Sequence, residues 1–90
     1  MNIRVYLVDD HEIVRRGLRE LLELEGDLEI VGESGTAEEA VRRIPALRPD
    51  VALLDVRLPD GSGIEVCRQV RGVDPHIAGL VLTSYDDDQA

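Results

Sequence analysis

Ninety residues make one domain at most, and a formal net charge of −9 sets the bare chain against DNA and anionic membranes rather than towards them. A single cysteine, Cys67, excludes an internal disulfide and a cysteine-rich zinc cluster. All ten basic residues are Arg and none is Lys, while the apolar set is aliphatic, with two Tyr and no Phe or Trp. That composition favours a core of branched aliphatics, as in α/β folds. The N-terminus reaches Asp9-Asp10 without a signal-peptide apolar region, and the apolar runs are too short to span a bilayer. A soluble, cytoplasmic protein with no membrane partner is the expectation.

Ile3 to Val8 is a short run rich in β-branched residues and reads as a buried strand. From His11 to about Glu25 the period becomes helical. Val14, Leu18, Leu21, Leu22 and Leu24 form one stripe, and Gly26-Asp27 ends the helix. Leu28 to Val31 reads as a second strand. Thr36-Ala37-Glu38-Glu39 fits a capping box with Thr36 as N-cap. The helix that follows carries Ala37, Ala40, Val41 and Ile44, and Pro45 and Pro49 close it or distort its last turn. Val51 to Leu54 is a continuous apolar run that suits a central strand covered on both faces. Pro59 to Gly63 is a turn cluster, Ile64 to Arg71 a third helix stopped by Gly72, and Ala78 to Thr83 a fourth strand. Strict β-α alternation of this kind predicts a parallel, doubly wound sheet with right-handed crossovers.

Three carboxylates follow strand ends: Asp9 and Asp10 after the first, Asp55 after the third. In a 2-1-3-4 strand order all three converge where the strand order reverses, the place where doubly wound sheets bind ligands. Clustered like charges raise one another's pKa unless a cation is present, and oxygen-only ligands suit Mg²⁺. Such an ion can coordinate a phosphoryl oxygen, and a carboxylate can accept the phosphoryl group as an acyl phosphate. Thr83, at the end of the fourth strand, places a hydroxyl at the same edge. Any one aspartate after a strand is as often only a turn or cap residue. The pair, Asp55 and Thr83 together are much harder to explain that way.

The segments Val8-Asp9-Asp10-His11, Leu53 to Gly61 (LLDVRLPDG) and Val81-Leu82-Thr83-Ser84 resemble the receiver motifs of the NarL/FixJ (LuxR-type) response regulators. Within that group the chain looks most like the actinobacterial DevR/DosR type, and the likeness covers all of residues 1–90. The resemblance implies a flavodoxin-like (CheY-like) fold, with Asp55 as the phosphorylated residue and Thr83 as a switch hydroxyl. It implies that Asp9, Asp10 and Asp55 hold Mg²⁺ together with the backbone carbonyl of Arg57. It also implies a sensor histidine kinase as phosphodonor and a C-terminal helix-turn-helix as DNA-binding output. Such a domain is not an enzyme in the turnover sense; at most it phosphorylates and dephosphorylates itself.

The departure from the family pattern is the missing fifth strand and the lysine at its end. A truncated regulator is therefore expected, with a degenerate receiver or phosphorylation-independent interaction module as the alternative. A fourth strand left as an edge invites pairing with another chain, so a homodimer, edge-strand pairing or domain-swapped self-association is expected. A dehalogenase-type hydrolase also uses an aspartate after a strand, but it requires a second carboxylate where this chain has Arg57. His11 reads as a surface residue opening the first helix, His76 as a loop residue, and Cys67 as a packed or half-exposed thiol. Asp86 to Asp88 read as a solvated opening of a fourth helix.

Overall fold

The apolar runs pair side by side as parallel strands. The computed structural model describes residues 2–82. Within it the order is β1 (Ile3–Val8), α1 (Glu12–Glu23), β2 (Leu28–Ser34), α2 (Ala37–Leu47), β3 (Val51–Asp55), β4 (Arg57–Leu58), β5 (Gly61–Ser62), α3 (Gly63–Val73) and β6 (Ala78–Leu82). Four strands form one parallel sheet in the order β2-β1-β3-β6. This is the expected 2-1-3-4 arrangement, since β6 is the fourth long strand. The turn cluster after Asp55 carries more structure than expected: β4 and β5 close a short antiparallel hairpin around Pro59-Asp60.

The two faces of the sheet are covered unequally. On one face Tyr6, Val8, Ala52 and Leu54 interlock with Ala40 and Ile44 of α2 and Val66 and Val70 of α3. Leu58 and Ile77 complete this core. On the other face α1 packs chiefly on β2. The stripe expected to be its buried face is not buried among the described residues: Leu18 and Leu22 are half-buried, while Val14, Leu21 and Leu24 are exposed. Because α1 sits towards the β2 edge, no helix among the described residues covers the far side of the same face. There Leu80 and Leu82 of β6 are 55% and 45% exposed.

Two close approaches depend on glycine. In β2 the register slips between the partners of Val5 and Tyr6, which are Ile30 and Gly32. A Cβ on Gly32 would stand 2.7 Å from the Tyr6 ring, so its absence makes room for that ring in the core. In β6 a Cβ on Gly79 would run into the Cys67 sulfur, so α3 and β6 can meet only because residue 79 has none.

The helix ends follow local chemistry. Thr36 caps α2 as expected, its hydroxyl accepting from the Glu39 N–H at 3.2 Å. Ser62 does the same for α3 through the Ile64 N–H at 3.1 Å. Pro45 does not stop α2, which runs to Leu47. Termination falls instead to Arg48 in the left-handed region (φ 53°), whose N–H bonds the Ile44 carbonyl at 2.9 Å.

Candidate functional site

β1 and β3 lie side by side, with Val8 opposite Leu54, so the residues that follow them emerge together. Asp9 and Asp10 leave the end of β1, and Asp55 is the last residue of β3. The Asp9 N–H bonds the Ser34 carbonyl at 3.0 Å, and Arg15 binds the Asp9 carbonyl from α1 while its Nε pairs with Glu33 at 2.9 Å. These bonds fix the start of the β1–α1 loop against β2. On the other side, the Gly63 N–H bonds the Val56 carbonyl at 2.9 Å, and a Cβ on Gly63 would collide with the Asp55 carbonyl oxygen. Helix α3 therefore begins hard against the backbone of Asp55.

The three expected acidic residues do converge. One ligand atom each from Asp9, Asp10, His11 and Asp55 can be chosen so that all lie within 4.8 Å of one another. Asp9 and Asp55 are half-buried and Asp10 is exposed. Burial first, and then the neighbouring Asp9 charge, push the Asp55 carboxyl above its ordinary value. The backbone N–H groups of Arg57 and Val56 oppose that shift only in part. A divalent cation would relieve the same repulsion. Three carboxylates at a half-open edge, with room for water, are a donor set that suits a hard ion such as Mg²⁺.

His11 belongs to this cluster, although from the sequence it reads only as a surface residue. It is exposed, yet its Nδ1 lies 2.9 Å from Asp9 Oδ1 and 3.0 Å from Asp10 Oδ1, and its backbone N–H donates to Asp9 Oδ1 at 2.8 Å. The hydrogen bond to Asp9, followed by the charges of Asp10 and Asp9, raises the pKa of its ring. The one sequence signal was adjacency: a histidine directly after an acidic pair.

Asp60 was also hidden in the sequence as a mere turn residue. Its carboxylate accepts from the Ala37 N–H at 2.7 Å and the Glu38 N–H at 3.0 Å, which ties the loop after Asp55 to the start of α2. Arg57 lies in β4, two residues past Asp55, with its side chain exposed. Thr83 lies outside the described residues, as do Ser84 and Asp86 to Asp88. Cys67 is half-buried against the core, and His76 is exposed beside Asp74. A groove of about 730 Å³ between α2 and α3 includes Asp60 in its wall but none of the acidic cluster. No helix among the described residues is long and apolar enough to cross a membrane.

A parallel sheet in this order, with acidic side chains gathered past β1 and β3, defines the receiver class of signalling domains. The model of the response regulator receiver domain matches residues 5–90, and the chain belongs to that family. It is 57% identical over 88 residues to the DNA-binding transcriptional activator DevR/DosR of Mycobacterium tuberculosis, covering 98% of this chain and 41% of that protein. Among solved structures it resembles the signal receiver domain of a NarL response regulator from M. tuberculosis. That likeness has a TM-score of 0.88 and 36% identity, over 97% of this chain and 70% of that one. It also resembles the isolated receiver domain of RcsB from Salmonella enterica serovar Typhimurium, solved in the presence of phosphomimetic BeF₃⁻. There the TM-score is 0.86 and the identity 29%, over 97% and 65% of the two chains. The chain thus spans less than half the length of the curated relative it matches.

Proposed function

We propose that this chain is the phosphoacceptor part of a two-component response regulator and that Asp55 takes the phosphoryl group. The observation that carries the reading is the meeting of Asp9, Asp10 and Asp55 at the ends of two adjacent strands. An Asp55 carboxylate oxygen attacks phosphorus as the bond from phosphorus to the donor's imidazole nitrogen breaks. The products are an aspartyl phosphate on this chain and a free histidine on a sensor kinase. Bound Mg²⁺ would offset the charge of the transferring group. Asp9, Asp10, Asp55 and the Arg57 carbonyl are the residues to hold it. Thr83 supplies the hydroxyl drawn towards the new phosphoryl oxygens, which biases the segment after β6 to another packing.

Output runs through a DNA-binding segment outside this chain, by analogy with the DevR/DosR activator. The chain acts in the cytoplasm, and its only catalysis is on itself. The exposed Leu80 and Leu82 and the free edge of β6 among the described residues support self-association, as a homodimer or by strand exchange.

The test is incubation with a small phosphodonor, such as acetyl phosphate, and Mg²⁺, followed by intact mass measurement. One phosphoryl adduct is expected on the wild type and none on Asp55→Asn. An adduct that persists in the variant refutes the assignment.

A further inference from the structure

We propose that Arg15 is a positioning residue: its guanidinium holds the Asp9 backbone and so sets how the Asp9 and Asp10 carboxylates face Asp55. The inference rests on the cation site of the proposed function and deepens it, adding the residue that keeps the β1 side of that site in place. Asp9 is gripped from both sides. Its N–H donates to the Ser34 carbonyl at 3.0 Å, and its carbonyl accepts from Arg15 Nη1. A peptide group is planar, so holding the two groups that flank the Asp9 Cα leaves little freedom in its φ and ψ. The held carbonyl also belongs to the Asp9–Asp10 peptide. A turn of that plane would swing both carboxylates, with only Asp10 and His11 between Asp9 and α1 to absorb it.

Arg15 is itself held. Its Nε donates to Glu33 Oε1 at 2.9 Å, and Arg19 pairs with the other oxygen of the same carboxylate. The Glu33 carbonyl in turn accepts from Arg43 of α2 at 3.1 Å. Gly35 leaves the space, since a Cβ there would stand 3.1 Å from Arg15 Nη1. With its side chain 19% exposed, Arg15 forms these bonds with little competition from water. The planar guanidinium presents its donors in a fixed fork, one to Glu33 and one to Asp9, which the point charge of a lysine cannot copy.

Arg19 separates positioning from mere bracing. It lies one turn further along α1 and pairs with the same Glu33, yet makes no hydrogen bond to the β1–α1 loop among the described residues. Both arginines tie α1 to β2, and Arg15 carries the tie on to Asp9.

The experiment is titration of Mg²⁺ into the full chain, followed by amide chemical shifts, for wild type, Arg15→Ala, Arg15→Lys, Arg19→Ala and Asp10→Asn, with thermal unfolding measured in parallel. Arg15→Ala is expected to weaken Mg²⁺ roughly tenfold, the usual cost of losing a contact that orients a metal ligand. Arg15→Lys should fall between it and wild type. The Mg²⁺ concentration that half-saturates phosphorylation by acetyl phosphate should rise by the same factor, with the rate at saturating Mg²⁺ less affected. Arg19→Ala, which loosens the same tie between helix and strand, should lower the melting temperature yet leave Mg²⁺ affinity near wild type. Wild-type affinity in Arg15→Lys or in a folded Arg15→Ala overturns the inference. So does an equal loss in Arg19→Ala, which would make Arg15 a structural brace and nothing more. Failure of Asp10→Asn to weaken Mg²⁺ would instead remove the cation site on which the inference rests.

Discussion

Asp60 reaches from the β4–β5 hairpin to accept a hydrogen bond from the Ala37 N–H at 2.7 Å, and so joins the loop after Asp55 to the first turn of α2. The helix end thereby gains an acceptor and a negative charge at its positive pole. The Ala37 and Glu38 N–H groups hold the Asp60 carboxyl below its ordinary value. In the unfolded chain it titrates at that ordinary value. Its contribution is therefore present above the usual carboxylate range and is lost as pH falls through the lowered native value. Asp60→Ala is expected to lower the melting temperature at neutral pH, and the gap to wild type should close in acid. A gap that stays constant down to the acid limit would show that Asp60 acts through packing, not charge.

The Tyr6 hydroxyl and the Ser34 hydroxyl bond each other inside the core, where Tyr6 is fully buried and Ser34 is 2% exposed. Removing one partner strands the other away from water. Tyr6→Phe should cost about 1–3 kcal/mol in urea unfolding. Tyr6→Phe combined with Ser34→Ala should cost less than the sum of the two single changes.

Gly63 sets how closely α3 approaches the acceptor. Gly63→Ala must move the helix start or the Asp55 backbone, and overpacking of this kind costs about 1–3 kcal/mol. Under the proposed function it should also slow acceptance of the phosphoryl group at Asp55. Gly72→Ala, on the same helix with open space around it, is the matched control and should leave both stability and phosphorylation near wild type.

The proposed self-association predicts a monomer–oligomer equilibrium in sedimentation velocity that shifts with concentration. Leu80→Glu and Leu82→Glu, on the bare side of β6, should shift it to monomer. A single monomer peak for the wild type at high concentration would end the idea.

The parallel sheet was legible because its strands are built on short, mostly apolar stretches rich in Val, Ile and Leu, and because a helical period fills each gap between them. Asp9, Asp10 and Asp55 were legible for a related reason: each ends or follows such a run, so the strand order decides where it goes. The β4–β5 hairpin was not, since Pro59 and Gly61 signal a turn without revealing the two-residue ladder that flanks it. Nor was the tie from Asp60 to α2, a contact across more than twenty residues that no local period records. The apolar stripe of α1 misled in the other direction. Its spacing indicates a buried face, but spacing cannot say how much of the sheet a helix covers, and α1 covers the β2 side.

Because residue 79 has no side chain, the Cys67 sulfur sits where one would have been, pressed between α3 and β6. That sulfur is the chain's single thiol. Its reactivity towards a neutral alkylating reagent therefore reports on that seam and rises when the last described strand lifts from the helix beneath it. Anything that loosens or tightens that seam, whether a phosphoryl group, a cation or a second copy of the chain, can be followed at one atom without adding a label.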